Sequence, residues 1–518
     1  FGSGKADQPA QPASKPAAGP KRGGTMTGAM MVKITSMDPL TGNSFVGEGC
    51  VYLAIYNRLL RKDDAGKLVP ELAKSWTVSP DGKRVTFELQ QGVTFHDGTP
   101  FNAQAVKFNY DRLLDRKDAT TAYQYFTDVE SFEAVGNFQL VMNLKRPSAV
   151  VMDALTYRGG FIVSPTAFKT LGANFAQTPV GTGPFKFVEW TKGASIKLAR
   201  NESYWEKEKP YLDNIVFSII PQATNRATAM ETGEADYLVN FYVPLTDAKR
   251  LMANDKLVTE RGHSFPAIYF MFINTATKAL STKEARQALA FAIDRQRIIT
   301  QANDGIGRPA RGPFGDGFAW LLNPSVDYAK MYPRDVAKAK TLLDGAGVTA
   351  GADGMRGKLR LVVSSARAPI VTAAQIIKEN LKEIGFDVEV QALENAVMQQ
   401  KVFKDREYDL TLQSFVSSGD PAIGYHRTYV TTAPGTNNTN ASGYSNAKVD
   451  ELLSKAAVTP DQKQRAALYQ ELQTILAADL PSLVLYDDDP VNFASKKLNG
   501  LWTTIDTREK WEDVWLSK

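Results

Sequence analysis

Residues 359–415 carry the pattern that most restricts what this chain can fold into. "LRLVVSS" (359–365) reads as a strand. "PIVTAAQIIKENLKEIGF" then places Ile370, Ala374, Ile377, Leu381 and Ile384 on one helical face and stops at Gly385. "FDVEVQAL" alternates as a strand, "ENAVMQQKVFKD" is helical, and "YDLTLQSFV" is a strand again. A β-α-β-α-β order demands a parallel sheet with right-handed crossovers, so the fold class is α/β. Ligands of open α/β sheets bind outside the carboxyl ends of the strands. The segment "SFVSSGDPAIGYHRTYV" (414–430) begins at such an end, which makes its turn a candidate site.

At 518 residues the chain exceeds one compact core, and two to four lobes are expected. Its 43% apolar and 23% charged content is that of an ordinary globular protein. No run approaches the roughly 18 apolar residues of a membrane span. The net charge is +5, of which Lys5, Lys15, Lys21 and Arg22 against Asp7 supply +3, leaving +2 for the rest. That body makes no electrostatic case for nucleic acid or for an acidic partner. Cys50 is the only cysteine, so no disulfide within the chain and no thiolate metal cage can form; its apolar surroundings read as core. Residues 1–23 are rich in Pro, Ala and Lys and read as a disordered tether. They contain no apolar signal region, so any export signal is expected to have been removed already.

Upstream, Val85, Phe87 and Leu89 alternate, and Val93 and Phe95 resume after a turn, which predicts a half-buried hairpin. Val106, Tyr110, Leu113 and Leu114 form one helical stripe. Ser281 and Glu284 form a capping box that opens a helix over "STKEARQALAFAIDRQRII".

A search for catalytic chemistry finds little. His96, His263 and His426 are far apart, and no Gly-x-Ser-x-Gly elbow occurs. "GADGMRGK" fails as a phosphate loop because Ala352 replaces the first required Gly and Leu359 stands where Ser or Thr belongs. "GAGVTA" (345–350) follows a helix and reads as its C-terminal cap. "YDDDP" (486–490) reads as a solvated turn. No base with a positioned partner can be nominated, and no catalytic residue, metal site or cofactor is expected.

Several stretches resemble landmarks of one family, in order. They are "VPELAKSWTVSPDGKRVTFELQQGVTFHDGTPFNAQAVKFNYDRLL" (69–114), "GTGPFKFVEW" (181–190), "ETGEADYL" (231–238), "FMFINT" with "EARQALAFAIDRQRII", and "GYSNAKVDELL" (443–453). Together they resemble the family 5 substrate-binding proteins of ABC transporters, the peptide, nickel and opine type. The resemblance runs from about residue 24 to the end. It implies a type II, two-lobed periplasmic clamshell with an extra inserted domain. Lobe I would comprise 24–58, 180–266 and 485–518, the inserted domain 59–179, and lobe II 267–484. Crossover strands near 265–272 and 480–486 would form the hinge. The implied partners are a small-molecule or short-peptide ligand and the permease and ATPase subunits of an importer. The implied location is periplasmic or otherwise extracytoplasmic, anchored to the membrane, and the protein is expected to be a monomer.

The resemblance also bears on the ligand. Peptide-binding members fix the ligand's α-amino group with an Asp just before a Gly-Asp-Pro-type turn; spacing back from Asp420 puts Ser417 there. Dipeptide-binding members use an Arg early in the helix corresponding to 370–384, where this chain has Val371 or Thr372. A neutral Ser cannot replace a carboxylate as the partner of ammonium. A free dipeptide is therefore disfavoured, and an opine-like conjugate, a sugar conjugate or a longer peptide is expected. A nickel-type chelate carrier is the second reading, and a periplasmic hydrolase on the same fold the third. The candidate ligand contacts are Asn43 and Phe45 in the first cleft loop, Arg158, Phe415, Ser417, Ser418, Asp420, Arg427 and Tyr486. Arg427 is chosen for its bidentate grip on anions, and Tyr486 as the aromatic of the hinge strand.

Overall fold

The computed structural model describes residues 19–31, 34–42, 45–64, 66–115, 122–238, 243, 245–261, 267–417, 419–435, 439–489, 491–502 and 510–517. Among these, strands form three larger sheets and two short ribbons.

The β-α-β-α-β pattern folds as its periodicity requires. Strand Gly357–Ser364 lies between Phe386–Leu393 and Leu410–Phe415 and is parallel to both. Helix Ala368–Glu383 buries Ile370, Ala374, Ile377 and Leu381 against them. It ends before Gly385, whose φ of +92° only glycine adopts freely. The sheet then continues antiparallel through Ile268–Ile273, Ser482–Asp487 and Arg308–Pro309, six strands in all. Ile268–Ile273 is buried on both faces and reads as an unbroken apolar run, as a central strand must.

A second sheet has seven strands, in the order Leu257–Arg261, Val491–Ser495, Tyr237–Leu238, Thr25–Met30, Asn214–Ile219, Ser195–Arg200 and Phe185–Thr191. Its core carries Cys50, which is buried, and Trp511, whose indole N–H donates to the Cys50 carbonyl at 2.7 Å. A third sheet, of four antiparallel strands, orders Ala73–Val78, Arg84–Leu89, Gln139–Leu144 and Val129–Val135. Helix Ala103–Asp115 covers it with Val106, Tyr110 and Leu113, and Tyr110 stacks on Phe132 at 4.2 Å.

The two larger sheets are joined by a pair of crossings. Leu257–Arg261 pairs antiparallel with Val491–Ser495 in the seven-stranded sheet. The next strands inward, Ile268–Ile273 and Ser482–Asp487, pair antiparallel in the six-stranded sheet. Where both chain segments meet the six-stranded sheet, the Asp488 N–H donates to the Ala267 carbonyl at 2.8 Å.

Three expectations need correction. Strand Arg84–Leu89 does not fold back on 93–95; it pairs with Ala73–Val78 and Gln139–Leu144, and Thr94 makes only an isolated bridge to Pro100. Alternation identified the strand but carries no information about its partner. The helix expected from Ser281 starts one residue later: Thr282 caps it by accepting from the Ala285 N–H, while the Ser281 hydroxyl donates to the Lys278 carbonyl. It is also two helices, Lys283–Ala292 and Arg295–Ala302, because Asp294 caps the second and interrupts the first.

Candidate functional site

The three parallel strands end together, and the loops that leave them are 365–367 after Ser364, 394 after Leu393 and 416–425 after Phe415. Adjacent strands whose connections leave in opposite directions open a crevice between their carboxyl ends, here between Gly357–Ser364 and Leu410–Phe415. That crevice lies next to the paired crossings, because Ser414 and Phe415 sit opposite Tyr269 and Ile268.

The turn at 417–421 is built from inside. The Ser417 hydroxyl donates to the Asp420 carbonyl at 2.6 Å, and the Asp420 carboxylate accepts from the Ala422 N–H at 2.8 Å. Asp420 is buried and paired in a fork with Arg465 of helix Gln462–Asp479, one arm at 2.7 Å. Burial acts to raise its pKa, but the guanidinium outweighs that and holds the carboxyl below its usual range. His426 packs beneath, its ring nitrogen 2.7 Å from the Tyr469 hydroxyl; burial drives its pKa down to about 3, so it is neutral. Ser417 thus spends its hydroxyl on the turn, and Asp420 spends its carboxylate on the turn and on Arg465.

The other candidates fall in different places. Phe415 is 3% exposed and packs edge-on against Phe270 and Phe272, with the Arg427 guanidinium 5.1 Å above its ring. Arg427 is exposed; its Nε donates to the Gly424 carbonyl at 3.0 Å, and it lies near Tyr125, which packs on the four-stranded body, and Tyr157, which packs on the core of the seven-stranded sheet. Tyr486 is buried and stacks on Tyr269 at 4.4 Å and 11°. Arg158 is buried, donating to the Gly42 carbonyl and lying 3.9 Å from Glu48, so it braces the loop before helix Phe45–Ile55. Phe45 opens that helix. Asn43 and Ser418 lie outside the described residues.

The structure adds a residue that was not nominated. Arg367 caps helix Ala368–Glu383 at the crevice. Its guanidinium donates to the Tyr269 hydroxyl, lies 5.3 Å over that ring, and reaches the Ser414 hydroxyl at 3.5 Å. The Asp488 carboxylate lies near it: burial raises the Asp488 pKa and the Arg367 charge pulls against that rise. An arginine therefore stands at the head of that helix, although neither Val371 nor Thr372 supplies it. The signal was local: "SSARAP" runs from a strand end to a helix, and Pro369 marks its first turn, so the residues just before it stand at the strand ends. Arg367 and Arg427 flank the end of strand Leu410–Phe415, one toward Ser414 and the other over Phe415.

Acidic residues gather at the crossings. Among the described residues, no group of His, Cys, Asp and Glu is placed to hold a metal ion. The expected solvated turn at "YDDDP" is not what forms: Tyr486 and Asp487 end the buried strand Ser482–Asp487, one Asp487 oxygen accepts from the Asp316 N–H at 2.7 Å, and burial pushes its pKa up to about 7.

Two sheet bodies joined by paired crossings, with a crevice of exposed cationic side chains beside the joint, define a solute-binding clamshell. The comparisons agree. The model for bacterial extracellular solute-binding proteins, family 5, matches residues 67–477, and the chain belongs to that family. These are the extracytoplasmic receptors of ABC importers, which bind small ligands or peptides and pass them to a permease and its ATPase. The glutathione-binding protein GsiB of Pectobacterium atrosepticum is 31% identical over 494 residues, 93% of this chain and 92% of that protein. The Helicobacter pylori protein DppA, solved with the peptide STSA, is 28% identical with a TM-score of 0.76 over 96% of this chain and 99% of its own. The binding protein AgaA of A. tumefaciens R10, solved with agropinic acid, is 26% identical with a TM-score of 0.75 over 96% of this chain and 99% of its own. No helix among the described residues is long and apolar enough to cross a membrane.

Proposed function

We propose that this chain captures a carboxylate-bearing, peptide-like solute between its two large bodies, and that Arg367 is the carboxylate anchor. The observation that carries the reading is the exposed Arg367 guanidinium, oriented by Tyr269 at the carboxyl ends of the parallel strands. A planar guanidinium held by an aromatic hydroxyl is prepaid in entropy and accepts a carboxylate through two parallel hydrogen bonds. The relatives support the class: glutathione and agropinic acid are both anionic conjugates. Ser417 offers no charge to an ammonium and gives its proton to Asp420, so an amino group gains no ion pair there. This favours γ-linked or N-substituted conjugates and longer peptides over free dipeptides.

In this reading the seven-stranded body is lobe I (24–58, 180–266, 485–518), the four-stranded body is the inserted domain (59–179), and the six-stranded body is lobe II (267–484), except that strand Ser482–Asp487 carries the chain three residues past the expected boundary inside the six-stranded sheet. Closure about the two crossings would bury the solute. A monomer released or tethered outside the cytoplasm is sufficient for that task.

The test is calorimetry with glutathione, ordinary dipeptides and their C-terminally amidated forms. A micromolar dissociation constant, about −8 kcal/mol, is expected for a carboxylate conjugate. Arg367→Ala should weaken binding at least about ten-fold, the worth of a charge-assisted hydrogen bond. Wild-type affinity in that variant, or equal binding of amidated ligands, would overturn the assignment.

A further inference from the structure

The turn at 419–420 is held by a second hand. Lys62 ends strand Leu60–Lys62, on the four-stranded body. Its ammonium donates to the carbonyl of Gly419, on the six-stranded body, and pairs with Asp153 of its own side. The lysine stem runs along Gly419, whose φ is +95°; a Cβ there would sit 2.7 Å from the ammonium nitrogen. Both partners in the ion pair are largely shielded, with side chains 7% and 14% exposed. Next to it, Ala149 caps the short helix Val150–Ala154 that carries Asp153, and its N–H donates at 2.9 Å to the Ala457 carbonyl. That carbonyl is among the last of helix Ala447–Val458, where free acceptors await a donor. Arg465 ties the two receiving points together, because it grips Asp420 and donates to the Ala456 carbonyl at 2.7 Å.

We propose that Lys62, with Ala149 beside it, is a closure latch, a positioning device that stabilises the shut clamshell whether or not solute is present. The inference rests on the reading that the bodies part and close. Each bond joins protein to protein, so it adds to the closed form in both free and loaded states. A contact present only in the closed form shifts the equilibrium toward it by its own free energy. The latch therefore raises affinity for every ligand alike and leaves selectivity to the crevice. Charges alternate along it, Asp153 to Lys62 to the Gly419 carbonyl, with Asp420 and Arg465 behind. Burial lifts Asp153 to about 6 against the pull of Lys62, with the Asp420 charge adding to the rise.

The experiment uses the full chain with spin labels at Lys145→Cys and Ser454→Cys, two exposed positions flanking the Ala149–Ala457 bond. Cys50 is buried and does not compete for label. Pulsed dipolar distances are recorded without ligand, in the wild-type background and with Lys62→Met or Lys62→Gln. The wild-type background should show a short-distance population, and both variants should reduce its ratio to the long-distance population about ten-fold, as loss of a hydrogen bond from a charged donor requires. An unchanged ratio in both variants, with two populations present, overturns the latch and leaves the clamshell standing. A wild-type background with no short-distance population also overturns it. A single short distance in all three overturns the parting of the bodies itself. Melting temperatures measured beside them confirm that the variants are folded.

Discussion

Asp420→Asn separates two roles for the turn at 417–421. If the carboxylate were a ligand anchor, the substitution would abolish binding and leave the fold intact. The structure predicts the opposite order of effects. The Asp420 and Arg465 side chains are 3% and 6% exposed, and each satisfies the other's charge. Asn keeps an acceptor for the Ala422 N–H but removes the counter-charge that touches the buried guanidinium, leaving only the more distant Asp153. Removing one partner of a buried pair costs about 3–5 kcal/mol. Arg465 keeps its bonds to the Ala456 carbonyl and the Tyr469 hydroxyl, so the lower end, about 3 kcal/mol, applies. For a lobe of roughly 200 residues, each kcal/mol shifts the melting temperature by about 2–4 °C, so a fall of roughly 6–12 °C is expected. Because the folded-state pKa is depressed, the pair's contribution is present above the unfolded carboxyl pKa and is lost as pH falls through the lower folded value. Scanning calorimetry at neutral pH measures the loss. An unchanged melting temperature with abolished ligand binding would refute the reasoning and return Asp420 to the ligand.

Three other outcomes follow from buried groups. Asp487 is raised to about 7 by burial, against an unfolded value near 4, so folding takes up a proton between those values and stability falls as pH rises through that window; Asp487→Asn should flatten the urea-midpoint profile from pH 4 to 7, and an unchanged slope would contradict the assignment. Gly181→Ala would put a Cβ 2.2 Å from the Ile55 carbonyl oxygen, so a loss on the order of 2 kcal/mol or more is expected in urea unfolding. Arg158→Met leaves the Gly42 carbonyl without that donor and removes the cation beside buried Glu48, and should cost about 3 kcal/mol by the same assay, with no counterpart loss in a surface control such as Arg146→Met.

Much of the fold was legible because it is periodic. The stripe on helix Ala368–Glu383 and the alternation of Phe386–Leu393 needed only the two repeat lengths of regular backbone. Strand partners were not legible: Arg84–Leu89 takes neighbours from residues 73–78 and 139–144, a choice set by packing across the sheet. The strand ends that bound the crevice were legible, yet the partners of its side chains were not. Asp420 looks free in sequence because its partner, Arg465, stands 45 residues away. Arg158 looks like a cleft cation until Gly42 and Glu48 are seen to claim it. Arg367 was passed over because the search began inside the helix, while the side chain that faces the strand ends belongs to its cap. Lys62 carries no motif at all; its role exists only where two bodies meet.

The central claim is that a solute is enclosed by movement of whole bodies about the chain crossings that follow Arg261 and Asp487, because the expected hinge strands near 265–272 and 480–486 lie largely inside the six-stranded sheet. Small-angle X-ray scattering tests it most directly, on the free protein and on the protein saturated with whichever assayed conjugate binds in calorimetry. The account predicts a smaller radius of gyration and a shorter maximum dimension when loaded. Identical scattering curves, with calorimetric saturation demonstrated in the same samples and an open free form, would contradict it.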